Sequence, residues 1–525
     1  MNRNADTQEP ARRCPGQGYT ISPAVCRARQ AAGFYKCPVC EHADANGNPQ
    51  PPTQDHPAMA PDDATAQAMD QIFKAYDVRG TYPSPLNEEI AWKIGHASAS
   101  FLRSLLTGYA RSEKSANQLV VGRDIRPSSV PLADALATGI SSTNTDTIDI
   151  GLCDTPMIYF AINHLGTCGG VQVTASHNPA QYNGFKVSGQ KARPIGQDTG
   201  LGEIKRIAEA IHMHKVTAGG KRIQRDLWDP YRQFLRPFVD PNLRPLKIVV
   251  DASNGCAGKM VPEVFGDLPI QIVPLNFEPL GQFAHEPNPM LEASLVQVKQ
   301  AVVAEGADFG VCFDGDADRC IFIDEKGRAI HCDLIIALLA PVFLAREPGA
   351  TVVYDVRASR VIVEEVIKAG GVPKRERVGH AFIKKALAES GGVFAGEGSG
   401  HFYFKDYFYA DSGAMALTHV MNVVSRRNAP LSALVKPLSR YAASGELNFR
   451  NEKKDATIDE LARRYGDGQV DRMDGLRIDF DDWWFNVRKS NTEPLLRLNA
   501  EARTPKLLQK KLDELTPLLG EPVKH

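Results

Sequence analysis

Gly170-Val171-Gln172-Val173-Thr174-Ala175-Ser176-His177-Asn178-Pro179, followed closely by Tyr182-Asn183-Gly184-Phe185-Lys186, is the stretch on which the rest of the chain turns. A β-prone run stops at a serine flanked by histidine and asparagine. Pro179 then interrupts regular structure, and Gly184 is expected to free the backbone ahead of Lys186. This pattern sets a hydroxyl on a loop among polar and cationic neighbours, which suits a nucleophile in group transfer. The same residues also fit an ordinary polar turn, so the remaining motifs must decide.

At 525 residues the chain has room for about three or four domains with ample core. Lys and Arg number 61 against 62 Asp and Glu, so no overall field favours nucleic acid or an anionic membrane as partner. The longest apolar run, 334–345, is bounded by Asp333 and Arg346 and is too short to span a bilayer; it reads as a buried helix. Residues 1–15 contain no apolar stretch of secretory type, so a cytoplasmic location is expected. Of ten cysteines, Cys153, Cys168, Cys256, Cys312, Cys320 and Cys332 lie mostly within apolar runs, where a free thiol acts as a small hydrophobe. Cys14, Cys26, Cys37 and Cys40 crowd the N-terminal segment. Cys37 and Cys40 have zinc-ligand spacing, with His42 as a further candidate, whereas Cys14 and Cys26 do not form a second such pair. Both a zinc module and a tail with reduced thiols fit, and its protein partner is unknown. Residues 43–66 carry almost no large apolar side chain and read as a linker.

Beyond the linker, Asn87 is placed to cap a helix with Ile90, Ile94, Ala97, Phe101 and Leu105 at helical spacing. Strands are expected at 119–121 and 147–152, then at 246–251 and 309–313, and again at 351–354. Helices from Leu291, across 334–345 and over 360–369 fall between and beside them. Three successive stretches of alternating strand and helix imply α/β domains with sheets covered on both faces. After Gly445 the pattern changes. Residues 476–480 alternate like a half-buried strand, 483–487 would pair with it, and a last helix has Thr504 as cap, Pro505 at its first position and Leu508, Leu512, Leu515 and Leu519 inward. The expected division is an extension and linker (1–66), α/β domains at 67–222, 223–328 and 329–443, and a small α+β domain at 444–525.

Asp314-Gly315-Asp316-Ala317-Asp318-Arg319 directly follows an apolar strand. Three carboxylates at alternate positions, separated by small residues, can converge on one divalent cation such as Mg²⁺. A calcium loop is disfavoured because Glu325, at the twelfth position counting from Asp314, continues a second strand. Gly396-Glu397-Gly398-Ser399-Gly400-His401 alternates glycine with short polar groups that can grip sugar hydroxyls, and His401 can hold phosphate or exchange protons. Arg488-Lys489-Ser490-Asn491-Thr492-Glu493-Pro494 offers a cation, hydroxyls, an amide and loop N–H groups to a phosphate. Nucleophile, metal cluster, sugar clamp and phosphate cradle, in that order, are the parts of phosphoryl transfer on a phosphosugar.

From about Phe73 to Glu501 the sequence resembles the α-D-phosphohexomutases, in particular the phosphomannomutase/phosphoglucomutase group. The four motifs carry the likeness, with smaller matches at Tyr76-Asp77-Val78-Arg79-Gly80, Gly122-Arg123-Asp124, Pro287-Asn288-Pro289 and Val378-Gly379-His380. The resemblance implies four domains around a central cleft, three of them sharing one α/β topology. It implies that Ser176 carries a phosphoryl group and that Asp314, Asp316 and Asp318 bind Mg²⁺ together with a phosphoserine oxygen. It further assigns Arg319 to the serine phosphate or sugar, and Glu397 and Ser399 to the sugar hydroxyls. Arg488, Ser490, Asn491 and Thr492 would hold the phosphate that is not reacting. Arg79, Lys186, His380 and His401 form the pool for proton transfer and phosphate contact, with Lys186 foremost; His177 would contact phosphate or steady the serine loop. Arg357 stands where relatives often have lysine, and Gly398 where dual-specificity members often carry methionine, so the choice between mannose and glucose is open. The implied reaction interconverts hexose 1-phosphate and hexose 6-phosphate through a 1,6-bisphosphate, with glucose 1,6-bisphosphate or its mannose analogue as activator. A phosphosugar phosphatase or bisphosphate synthase, and a binding protein that has lost turnover, are the competing readings.

Overall fold

The computed structural model describes residues 12–13, 20–21, 63–106, 114–213, 219–279, 281–490 and 495–523. Cys14, Cys26, Cys37 and Cys40, most of the proposed linker, and Asn491 and Thr492 lie outside the described residues. The helix Asp63–Ile72 begins ahead of the expected limit of the linker at residue 66.

Three sheets repeat one plan. In the first, the strand order is Val78–Thr81, Tyr182–Gly189, Gly169–Val173, Gln118–Arg123, Asp146–Leu152 and Arg222–Gln224. Gly169–Val173 runs parallel to Gln118–Arg123 but antiparallel to Tyr182–Gly189, so the serine loop is the turn where the sheet reverses direction. In the second sheet Phe309–Phe313 is parallel to Leu246–Asp251 and antiparallel to Cys320–Asp324, and the aspartate cluster fills that reversal. In the third, Phe394–Gly396 is parallel to Thr351–Asp355 and antiparallel to Phe402–Phe404, with the Glu397 loop between them. Three loops unlike in sequence thus share one topological position. All three hold their strands by continuous apolar burial: every residue of Gly169–Val173, Phe309–Phe313 and Phe394–Gly396 is buried, as expected for strands covered on both faces.

Helices cover these sheets as the periodicity predicts. Asn87 caps Glu88–Ser104 by accepting from the Ile90 N–H at 3.0 Å, and Ile90, Ile94, Ala97 and Phe101 are buried. Leu105 falls just past the helix and is exposed. The six scattered cysteines are free and buried. Among the described residues no helix is long and apolar enough to cross a membrane.

The fourth sheet is antiparallel, in the order Gln469–Asp471, Leu476–Asp479, Trp483–Lys489, Leu495–Ala502, Ala442–Arg450 and Glu521–Val523, backed by Pro505–Leu519 with Thr504 as its cap. Its strand Leu476–Asp479 departs from the expected alternation because Arg477 is buried rather than solvated. The guanidinium lies 3.7 Å from the Trp484 ring centroid, donates to both Asp479 oxygens, and reaches the carbonyls of Val356 and Ala358 in the third sheet's domain. An arginine in place of an apolar residue here ties two domains together.

Candidate active site

The serine loop is shaped from beneath by one side chain. Arg126, 1% exposed, donates from Nη2 to the carbonyls of Ser176 (2.8 Å) and Asn178 (2.6 Å) and from Nη1 to those of Pro179 (2.6 Å) and Tyr182 (3.0 Å). Its Nε pairs with Asp124 at 2.9 Å, and Asp124 also accepts from Thr174 and Ser129. Ser176 itself has φ +50°, a conformation rare outside glycine. Gly184 has a different role from the one expected. It lies within the strand Tyr182–Gly189, opposite Arg79, and a Cβ there would come within 1.9 Å of the Val78 carbonyl oxygen. Close strand approach, rather than a free loop, requires the glycine.

This loop meets the aspartate cluster. Ser176 Oγ donates to Asp314 Oδ2 at 2.8 Å and lies 3.3 Å from His177 Nδ1. Asp314, Asp316 and Asp318 are all buried, with ligand oxygens within 4.8 Å of one another. Thr155 donates to Asp316 at 2.5 Å, and Lys186 Nζ lies 2.7 Å from Asp316 and 2.5 Å from Asp318. Burial, then the neighbouring carboxylates Asp318 and Asp316, push Asp314 well above the usual carboxylate range. At Asp318 burial acts in the same sense but Lys186 and His401 outweigh it, keeping that group ionised. The buried Oδ1 atoms of Asp316 and Asp318 have no hydrogen-bond partner among the described residues. Three crowded, incompletely compensated carboxylates with open oxygens fit a hard divalent cation.

The third loop closes on the second. Arg319 and His401 form a backbone bridge, and Arg319 Nε lies 3.2 Å from His401 Nε2. That same Nε2 is 3.5 Å from Asp318 Oδ1. When unprotonated at Nε2 the ring accepts from Arg319; when protonated it faces Asp318 as an ion-pair partner. Burial and Arg319 disfavour the imidazolium, but Asp318 and Glu397 prevail and push the pKa up to about 9. His401 Nδ1 is 3.0 Å from Ser399 Oγ and 3.4 Å from Glu397 Oε2. Glu397 accepts from Tyr403 and from the Gly379 N–H. His380 stacks 6.2 Å from His401 and packs edge-on to Tyr76 at 5.6 Å, which brings the first sheet's domain against the third's. Burial, then nearby cations, lower the pKa values of His177 and His380. Arg79 donates to Asn178 Oδ1 at 2.6 Å and pairs with Asp77.

Of the sequence-predicted residues within the described chain, Ser176, His177, Asp314, Asp316, Asp318, Arg319, Glu397, Ser399 and His401 lie on these loops, Arg79 and Lys186 on strands of the first sheet, His380 at the start of a helix, Arg357 just past the strand Thr351–Asp355, and the rest at the fourth sheet. There Arg488 and Ser490 sit at one end of Trp483–Lys489, and Arg357 reaches towards Arg488 through a shared partner, Glu446. Arg126 and Thr155 were not singled out from the sequence. Arg126 stands two residues past the Gly122-Arg123-Asp124 match, which was its signal; Thr155 had none.

Models of the phosphoglucomutase/phosphomannomutase α/β/α domains I, II and III match residues 70–215, 229–327 and 331–441, and that of the C-terminal domain matches 446–517. The chain belongs to this family. It is 40% identical over 462 residues to a phosphomannomutase of Escherichia coli K12, covering 86% of this chain and 99% of that one. A crystal structure of a phosphoglucomutase/phosphomannomutase family protein from Burkholderia thailandensis superposes with a TM-score of 0.77 at 34% identity, covering 85% of this chain and 96% of the other. The N-acetylphosphoglucosamine mutase of Aspergillus fumigatus, described in complex with GlcNAc-6P and magnesium, shares the fold at TM-score 0.55 and 14% identity, covering 88% and 99%. The protein is thus a hexose phosphate mutase, a phosphotransferase built on the four-domain phosphohexomutase architecture.

Proposed function

We propose that the enzyme interconverts the 1- and 6-phosphates of mannose, glucose or both, with Ser176 as the phosphoryl carrier. The contact between Ser176 Oγ and Asp314 carries this reading: it sets a strained, buried-loop hydroxyl beside a cluster suited to a cation and beside Lys186. In the first transfer the bond between phosphorus and the Ser176 oxygen breaks as one forms to the sugar 6-hydroxyl, whose proton passes, directly or through a group of the site, to the leaving Ser176 oxygen. In the second, after the bisphosphate turns, the bond from the sugar's O1 to phosphorus breaks and one to Ser176 Oγ forms, the serine hydroxyl gives up its proton and O1 takes one.

Asp314, Asp316 and Asp318 are the residues to hold magnesium, the ion named for the Aspergillus neighbour. When bound, it supplies positive charge beside the transferring phosphoryl oxygens. Burial works against the Lys186 ammonium, but Asp316 and Asp318 outweigh it and raise its pKa, so Lys186, the first choice as general acid/base, starts with a proton to give. His401, with Nε2 between Arg319 and Asp318, belongs with Arg79 and His380 in the pool for proton transfer and phosphate contact. Glu397 and Ser399 grip sugar hydroxyls, and Arg357, Arg488, Ser490, Asn491 and Thr492 hold the distal phosphate. A bisphosphate activator, glucose 1,6-bisphosphate or the mannose analogue, would load Ser176, and a cytoplasmic location matches such substrates.

The test is incubation of the protein with mannose 1-phosphate or glucose 1-phosphate, Mg²⁺ and a trace of glucose 1,6-bisphosphate, followed by phosphorus NMR. The 6-phosphate should accumulate without inorganic phosphate. Release of inorganic phosphate without 6-phosphate would replace the reading by a phosphatase. Zinc at Cys14, Cys26, Cys37 and Cys40 rests on sequence spacing; equal, negligible zinc in the full chain and a Cys37→Ser/Cys40→Ser variant would remove it.

A further inference from the structure

Three arginines from three strands or loops converge on one carboxylate, that of Glu446. Arg357 Nη1 approaches Glu446 Oε2 at 3.5 Å, Arg488 Nη2 the same oxygen at 3.1 Å, and Arg497 Nη1 reaches Oε1 at 3.1 Å. Arg488 and Arg497 face each other directly across the pairing of Trp483–Lys489 with Leu495–Ala502, an arrangement that is unfavourable for like charges. Glu446 enters from the next strand at a bulge: the register shifts between Ala443 and Glu446, and Gly445 between them has φ +67°. The Arg488 Nε, though buried, has no hydrogen-bond partner among the described residues. A donor is therefore still on offer beside the carboxylate.

Resting on the reading of Arg357 and Arg488 as phosphate ligands, we infer that Glu446 tunes the distal phosphate site by competing with the substrate's phosphate for these arginines. Its carboxylate occupies donors that a phosphate dianion would use and adds a negative charge beside it. The phosphate is held, but weakly enough for the bisphosphate to leave this site and turn. A merely structural role, in which Glu446 keeps the arginines in place, predicts the opposite sign: loss of the carboxylate would let the cations repel one another apart and weaken phosphate binding.

The full chain carrying Ser176→Ala, which blocks transfer, is titrated calorimetrically with glucose 6-phosphate, with and without Glu446→Gln. Removal of the charge should tighten binding by about tenfold, Glu446→Ala should move it in the same direction, and Glu446→Asp should leave it near the parent value. Unchanged or weaker binding in both neutral variants overturns the inference. With Ser176 intact, Glu446→Gln should lower KM and kcat together; a raised KM also overturns it. Lack of mutase turnover in the unsubstituted chain would count against the proposed function and leave the binding titration readable.

Discussion

Ser176 Oγ and Asp314 Oδ2, 138 residues apart in the chain, lie 2.8 Å apart because each follows the strand at which its sheet reverses direction. The serine is held at φ +50° on the Arg126 scaffold, and the aspartate is held above its usual pKa by burial and its two companions. Ser176→Ala should lower kcat by about 10⁴-fold or more, as loss of a nucleophile does, and abolish labelling from phosphorus-labelled bisphosphate. Labelling at full stoichiometry in that variant would move the nucleophile elsewhere.

Arg126 should matter as much for the fold as for the reaction. Its substitution by methionine leaves Asp124 buried without its cation and strips four loop carbonyls of donors. Breaking a buried pair in this way costs about 3–5 kcal/mol. Arg126→Met should lower the first unfolding midpoint in urea and accelerate amide exchange over 174–181, with activity falling as well. Unchanged exchange there would show that the loop holds its shape without this residue.

His285 supplies a pH dependence from a group outside the three aspartates of the metal cluster. Its Nε2 lies 3.1 Å from Asp251 Oδ2 and its Nδ1 2.8 Å from the Glu286 carbonyl oxygen, so both neighbours accept and the doubly protonated ring is favoured. Burial opposes the charge, but Asp251 prevails and the pKa is raised. A group with a raised folded pKa stabilises fully below its unfolded pKa, near 6.5, and ceases to do so as pH rises through the folded value. The stability lost in His285→Gln, from urea unfolding, should therefore be larger at pH 6 than at pH 9. A loss that is equal at both would mean that the ring is neutral throughout.

The sequence made the four motifs legible because each needs residue types that are scarce elsewhere: a serine between β-prone and loop residues, three aspartates at alternate positions, alternating glycines, an arginine with hydroxyls. Helices followed from spacing, and Asn87 and Thr504 cap where expected. The shared plan of the three sheets came from the family resemblance and not from the residue patterns themselves, since topology constrains where a loop leaves a strand and leaves its residues free. Arg477 and Glu446 were hidden too, and Arg126 was marked only by its nearness to the Gly122-Arg123-Asp124 match. Each is a charged residue whose partners are backbone carbonyls or side chains distant in sequence, and periodicity carries no trace of them. Gly184 was misread for the same reason: its need for hydrogen in place of a side chain comes from the Val78 carbonyl on another strand.

Lys384 and Asp411 form a buried pair behind His401, and it offers a test of how the domains are held together. Lys384 Nζ lies 2.7 Å from Asp411 Oδ1, donates to the Tyr159 hydroxyl at 2.9 Å, and sits 4.0 Å from that ring's centroid. Tyr159 belongs to the helix Thr155–Leu165 that also delivers Thr155 to Asp316, so the pair links the sugar loop's domain to the serine domain. Asp411 Oδ2 is 3.9 Å from His401 Nε2. Lys384→Met leaves Asp411 buried without its cation and should cost about 3–5 kcal/mol, whereas replacing both groups by apolar ones is often nearly neutral. Lys384→Met/Asp411→Leu should thus be more stable than Lys384→Met alone, and a double-mutant cycle in urea should give a coupling of about 1–3 kcal/mol. Additive losses would mean that the two charges are compensated separately, by Tyr159 on one side and His401 on the other.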